Sequence, residues 1–211
     1  MGLPQEKIFY ETDKYYTPEE YLEFEREAEE RHEYLDGFVF EMAGESLAHS
    51  QISVNIIGEM RALLRKTPCQ VLSPNMKVRI RSRSMFAYPD VTVVCGQMVF
   101  HDSQRDVLVN PRVIFEVLSP ATEKYDRGEK FFRYQNELES LTDYILVSQD
   151  KPLIEQYARQ ENGGWLYLAT FGLESVLRIA SLNVELSFFG IYDRIEFSEE
   201  ALHTFDAHDE S

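Results

Sequence analysis

The chain has 211 residues, 44% apolar and 13% aromatic, which suits one domain with a sizeable core and excludes a disordered or fibrous protein. A formal charge of −16 excludes a protein that coats nucleic acid indiscriminately. The charge is uneven, however: residues 1–45 hold 14 acidic and 4 basic side chains, residues 193–211 hold 7 and 1, and the 147 residues between are neutral overall.

In chain order, Thr17, Pro18 and Glu20 form a helix opening with a cap, a first-turn proline and a capping-box carboxylate. The helix runs to about Arg31 and is expected to be a solvated surface helix with one modest apolar side. Asp36-Gly37 predicts a hairpin between residues 33–35 and 38–42, which places Glu33 and Glu41 near one end of a sheet. Ile52, Ile56, Met60 and Leu63 or Leu64 recur near a four-residue spacing and predict an amphipathic helix from about Ala48 to Lys66. His49 lies in its first turn, either as a helix-terminal hydrogen-bonding residue or as a substrate contact. Residues Arg61 to Arg83 include seven basic and no acidic side chains. Within them a strand from Met76 places Lys77, Arg79, Arg81 and Arg83 on one face, either lining a phosphate groove or forming a solvated face that balances the acidic first helix.

Asp90 to Cys95 and Arg112 to Leu118 read as short buried strands, rich in β-branched residues and bounded by turn formers. Asp90 opens the first, and Glu116 sits in the second among Phe115, Val117 and Leu118. A carboxylate in such surroundings is costly unless paired, hydrogen-bonded or metal-bound, and two on neighbouring strands can hold one divalent cation. Cys69 and Cys95 form no metal-like spacing and no disulfide framework, and Cys95 is expected to be a reduced core residue. Thr122 or Asp126 caps a helix to about Glu137. Its Lys130 either pairs with Asp126 at i+4 or points back toward Glu116. Residues 143–147 form another buried strand, residues 154–157 and 165–168 flank the Gly163-Gly164 turn, and residues 174–186 add weaker strands. No stretch approaches about 18 consecutive apolar residues and no hydrophobic signal region opens the chain, so a cytoplasmic product without membrane association is expected.

Glu33-Tyr34, Asp36-Gly37, Met42, His49, Tyr88 to Val91, Phe115 to Pro120, Thr122, Asp126-Arg127, Lys130, Tyr134 and Asp143 to Ile145 together resemble the Uma2 family, which is similar to the PD-(D/E)xK restriction-endonuclease superfamily and is common in cyanobacteria. The resemblance covers residues 16–190 of a single domain spanning 1–211, leaving 191–211 as an acidic C-terminal extension. It implies an α/β (α+β) fold: a restriction-endonuclease-like mixed central β-sheet flanked by helices, with an additional C-terminal β-meander.

The resemblance also implies a Mg²⁺ or Mn²⁺ site formed by Asp90, Glu116 and the Val117 carbonyl, with His49, Glu33, Glu41, Asp126 and Lys124 in support. The superfamily lysine falls two residues after the glutamate, where this chain has Leu118. The role then moves to Lys130 on the following helix, with Lys77 and Lys124 as substitutes. The expected chemistry is metal-assisted hydrolysis of DNA phosphodiesters, with Lys77, Arg79, Arg81 and Arg83 as nucleic-acid contacts. The opposing expectation is a non-catalytic binding or scaffold protein that retains the fold. A homodimer is expected because nucleases that cut both strands pair two sites, and the segment Phe188 to Phe197 offers either its interface or a closure of the monomer core.

Overall fold

Thr17 accepts a hydrogen bond from the Glu20 N–H at 3.2 Å, and the Glu20 carboxylate accepts one from the Thr17 N–H at 2.8 Å. This reciprocal cap starts α1 (Pro18–Glu27) where the sequence placed it. In the computed structural model, which describes residues 14–80 and 85–203, the helix stops short of Arg31. The Glu25 carboxylate in its last turn captures the His32 N–H at 3.0 Å and turns the chain into β1 (His32–Leu35). Asp36 and Gly37 both take left-handed conformations, φ 49° and 97°, so a two-residue turn matches the strand twist and returns β2 (Phe38–Glu41).

Ser46 caps α2 (Leu47–Leu64) by accepting from the His49 N–H at 3.0 Å, and Ile52, Ile56, Met60 and Leu64 form its buried stripe. The strand predicted from Met76 is present as the second of two strands that follow α2. β3 (Cys69–Leu72) and β4 (Lys77–Ile80) join different sheets because a turn at Ser73 to Met76 redirects the chain. The remaining strands are β5 (Met85–Ala87), β6 (Val91–Cys95), β7 (Val107–Leu108), β8 (Val113–Leu118), β9 (Asp143–Ser148), β10 (Leu153–Arg159), β11 (Trp165–Phe171), β12 (Val176–Ile179) and β13 (Val184–Ser187). Between β8 and β9 run α3 (Glu123–Tyr125), a π-helical turn (Asp126–Lys130) and α4 (Phe131–Glu137); α5 (Phe188–Ile191) and α6 (Glu199–His203) follow the last strand.

A six-stranded mixed sheet, β11-β10-β9-β8-β6-β3, is the centre of the fold. Its β8 and β9 are parallel neighbours, which requires the helical crossover between them, and every residue of both is buried. One face packs on α2, the β12-β13 hairpin and α5; the other packs on α4 and on strands of a second, five-stranded sheet, β2-β1-β5-β4-β7. Tyr21, Tyr34 and Phe86 form a buried aromatic cluster that fixes α1 to the second sheet. The architecture is therefore the expected mixed α/β fold with a central mixed sheet, flanking helices and a small C-terminal hairpin.

One expectation changes and one open alternative is decided. Cys69 and Cys95 stand directly opposite each other in the β3-β6 register and are joined as a disulfide, so Cys95 is not a reduced core residue. The pairing follows from strand register, which a separation of 26 residues does not reveal. Phe188, Ile191 and Tyr192 pack into the core beside α2, so this part of the Phe188 to Phe197 segment closes the monomer. Arg81 and Arg83, and residues 204–211 of the acidic extension, lie outside the described residues.

Candidate active site

β6 and β8 run antiparallel with Val91 opposite Phe115, so continuing the register by one residue sets Asp90 opposite Glu116. The Val117 N–H donates to Asp90 Oδ2 at 2.6 Å and ties that carboxylate across the strand end. Glu116 is the one charged residue of β8, and its side chain faces the layer of α4 because it shares a face with Ile114 and Leu118. Across the same layer, the π-helical turn directs Asp126 and Lys130 inward, and both are buried. Such turns widen the helix and alter the direction of its side chains, and they are frequent at functional sites.

Lys130 Nζ lies 2.9 Å from Glu116 Oε1, 3.4 Å from Glu33 Oε1 and 3.5 Å from Asp126 Oδ1. Desolvation opposes its charge, but Glu116, Glu33 and Asp126 outweigh it and push the ammonium well above its ordinary range. Burial pushes the Glu116 carboxyl well up; Lys130 pulls it back, while Asp126 and Asp90 add to the rise. Burial likewise raises Asp126, against Lys130 and a hydrogen bond from Thr122. The Lys130 ammonium therefore serves two buried carboxylates, Glu116 and Asp126, and the partly exposed Glu33. Glu116 Oε1, although close to that ammonium, makes no well-directed hydrogen bond.

On the other side of Asp90, His49 Nε2 lies 3.2 Å from Asp90 Oδ2, and His49 Nδ1 lies 3.5 Å from Glu45 Oε2. Burial opposes protonation of this imidazole, but the hydrogen bond to Asp90 and the charges of Asp90 and Glu45 outweigh it and raise its pKa. Glu45, His49 and Asp90 each offer one ligand atom within 4.8 Å of the others, so this trio can hold a divalent metal. Glu45 is exposed, and the cluster opens toward solvent on that side.

The described features coincide with a family model described as "Putative restriction endonuclease", which matches residues 18–188. The chain belongs to the Uma2 family. Two uncharacterized proteins of Synechocystis sp. are similar to it. One, slr1290, is 34% identical over 86% of this chain and 93% of the relative; the other, sll1609, is 26% identical over 82% and 97%. A crystal structure from Anabaena variabilis, described as that of "a putative nuclease belonging to DUF820", shares the fold with a TM-score of 0.69, at 15% identity over 84% of this chain and 97% of that one.

In this Uma2 chain the structure gathers Asp90, Glu116, Val117, Lys130, Asp126, Glu33 and His49 at one strand end. Other expected residues lie elsewhere. Glu41 pairs with His32 in the β1-β2 register while Glu33 pairs with Phe40, so the two glutamates point to opposite faces and only Glu33 reaches the cluster. Lys124 is exposed on α3, two residues before the π-helical turn directs Asp126 inward.

Lys77 and Arg79 do not form an open cationic face. The Lys77 amine is buried 3.1 Å from Asp106 Oδ2 and 5.4 Å from the centre of the Tyr88 ring; Arg79 lies over Phe86 and contacts the His101 ring. Alternation suggested a half-exposed strand, whereas β4 is internal, between β5 and β7.

Sequence reasoning missed Glu45, whose signal was its i,i+4 spacing to His49 across the Ser46 cap. It also missed a buried support. Tyr88 donates from its hydroxyl to Glu25 Oε1 at 2.5 Å and from its N–H to Glu33 Oε1 at 3.1 Å, while Glu25 Oε2 meets His32 Nδ1 at 3.0 Å. These partners come from α1, β1 and the loop before β6, and no local spacing connects them.

Proposed function

We propose that this protein is a metal-dependent endonuclease that hydrolyses phosphodiester bonds in DNA, with Asp90, Glu116 and Lys130 as its catalytic residues. The observation carrying this reading is the placement of Lys130, 2.9 Å from Glu116, although the superfamily position two residues after the glutamate is Leu118. Family membership and the adjacent carboxylate-histidine trio support it.

A divalent cation suits the donors on both sides of Asp90. Glu116 Oε1 and His49 Nδ1 are buried without a hydrogen-bond partner, and carboxylates rich in oxygen suit Mg²⁺ or Mn²⁺, with the imidazole better tolerated by Mn²⁺. Asp90, Glu116 and the Val117 carbonyl would hold it, with His49 and Glu45 at the open side. When bound, the cation would polarise a phosphate oxygen and acidify a water. Lys130 would orient that water and offset the charge growing on the phosphate, a role that requires a fixed ammonium. Glu33 and Asp126 supply the fixing, and the Val117 N–H holds Asp90 in line.

A second reading, a non-catalytic binding or scaffold protein, draws on the enclosure of Lys130 by three carboxylates and the inward pairing of Lys77 and Arg79. Calorimetric titration of Mn²⁺ and Mg²⁺ into wild type, Asp90→Asn, Glu116→Gln and Lys130→Met, with each sample then assayed for nicking of supercoiled DNA, separates the two. The nuclease reading expects metal binding to be lost in the carboxylate variants. It expects Lys130→Met to bind metal and to nick at least about 100-fold more slowly. A folded wild type that neither binds metal nor nicks DNA leaves the scaffold reading.

A further inference from the structure

β11 is the outer strand of the central sheet, and its far edge pairs with no other strand among the described residues. It runs seven residues without proline or any charged side chain, paired along its whole length with β10. Leu166, Tyr167 and Leu168 are consecutive and 47, 48 and 46% exposed. A long, regular, apolar edge is what soluble proteins blunt with charges, bulges or short strands, because it templates pairing with another chain. The other sheet edges among the described residues are short: β2, β3, β12 and β13 have four residues each, with β3 tied to β6 by the disulfide, and β7 has two.

We propose that two copies of this chain associate by antiparallel pairing of their β11 edges about a two-fold axis near Leu168. Charge selects the occupant. The net charge of −16 is carried by residues 1–45 and 193–211, whereas residues 46–192, which include β11, are neutral overall, so a second copy meets no net repulsion at this charge-free strand. Beside it, Glu155 on β10 is neutralised by Arg127 at 2.7 Å and hydrogen-bonded by Tyr167, so no single-sign field remains there to select a basic partner.

The pairing is self-complementary. Leu168 meets its own counterpart, Tyr167 meets Ala169, and Leu166 meets Thr170, each pair sharing one face. The two six-stranded sheets then become one sheet of twelve.

One consequence rests on the nuclease reading. Glu116 lies level with Leu146, Glu155 and Ala169 across the sheet, close to the proposed axis along the strand direction. Seven strand spacings separate the two copies of β8, about 34 Å at ~4.8 Å each before twist, with both clusters on the same face. That is about one turn of duplex DNA.

The association itself is tested without any cleavage assay. Light scattering after size exclusion should give wild type twice the 24.7 kDa chain mass, and Leu168→Lys and Leu166→Lys the single mass with unchanged circular dichroism. Both sites are about half exposed, so either variant carries the test if the other fails to fold. Both native cysteines are in the disulfide, so Leu168→Cys adds a thiol able to meet only its own copy on the axis. Copper-catalysed air oxidation should link it into a dimer on a non-reducing gel, and should not link Val54→Cys, a control on exposed α2 surface. A monomeric wild type, or a dimer that survives both lysine variants and leaves Leu168→Cys unlinked, overturns the proposal. Nicking by a monomer would overturn it while leaving the nuclease reading intact.

Discussion

Replacing Lys130 with methionine keeps most of its volume and removes the ammonium that contacts Glu116, Glu33 and Asp126. Breaking a buried ion pair by deleting one partner costs about 3–5 kcal/mol, because the other charge is left uncompensated. The cluster has one escape, which is to bind a proton. Neutralising a glutamate with an unfolded pKa of about 4.3 costs about 1.36 kcal/mol per pH unit above it, hence about 3.7 kcal/mol at pH 7 and about 1 kcal/mol at pH 5.

The sign follows from the direction of the shift. A carboxyl whose folded pKa is raised holds its proton in the folded state but releases it on unfolding, so the defect is full at pH 7 and fades as pH falls toward about 4.3. Urea unfolding of wild type and Lys130→Met at pH 7 and pH 5, with chelator present, should show a difference of about 3–4 kcal/mol shrinking to about 1. Adding Glu116→Gln to Lys130→Met should recover much of the loss, since the two residues are in contact. A Lys130→Met protein within about 1 kcal/mol of wild type at pH 7 would refute the assignment of Lys130 as the counter-ion of the cluster.

Asp106 is opposed by desolvation but held down to about 2 by hydrogen bonds from Arg26 and Lys77 and by their charges. Its contribution is present above pH ~3.8 and is lost as pH falls through about 2, so Asp106→Asn should flatten the acid-unfolding curve in that window. Opening the Cys69–Cys95 bridge with Cys95→Ser frees a 26-residue separation and should cost about 3 kcal/mol in denaturant unfolding under oxidising conditions; equal stability would remove the bridge as a constraint. Met60→Ala, at a fully buried site between α2 and the central sheet, should lose about 2–5 kcal/mol by the same measurement, and a loss below 1 kcal/mol would show that α2 is not held by its buried stripe.

Local chemistry determined much of this molecule before any tertiary contact. The capping box at Thr17, the Asp36-Gly37 turn, the apolar stripe of α2 and the continuous apolar runs of β8 and β9 each follow from interactions within a few residues, which is why they stand where the sequence placed them. The unusual position of Glu116 was also legible, because a carboxylate among buried β-branched neighbours is costly wherever the strand sits.

Tertiary structure decided the partners. Whether Lys130 satisfied Asp126 alone or reached Glu116 and Glu33 depended on a π-helical turn and a crossover; whether Glu41 joined Glu33 depended on alternation in one hairpin. Lys77 and Arg79 turned inward because β4 lies inside its sheet, and Cys69 met Cys95 because β3 and β6 are in that register. Sequence periodicity states which face of an element is apolar, but the neighbour across that face is set by strand order and register, which bring together residues that no local spacing links.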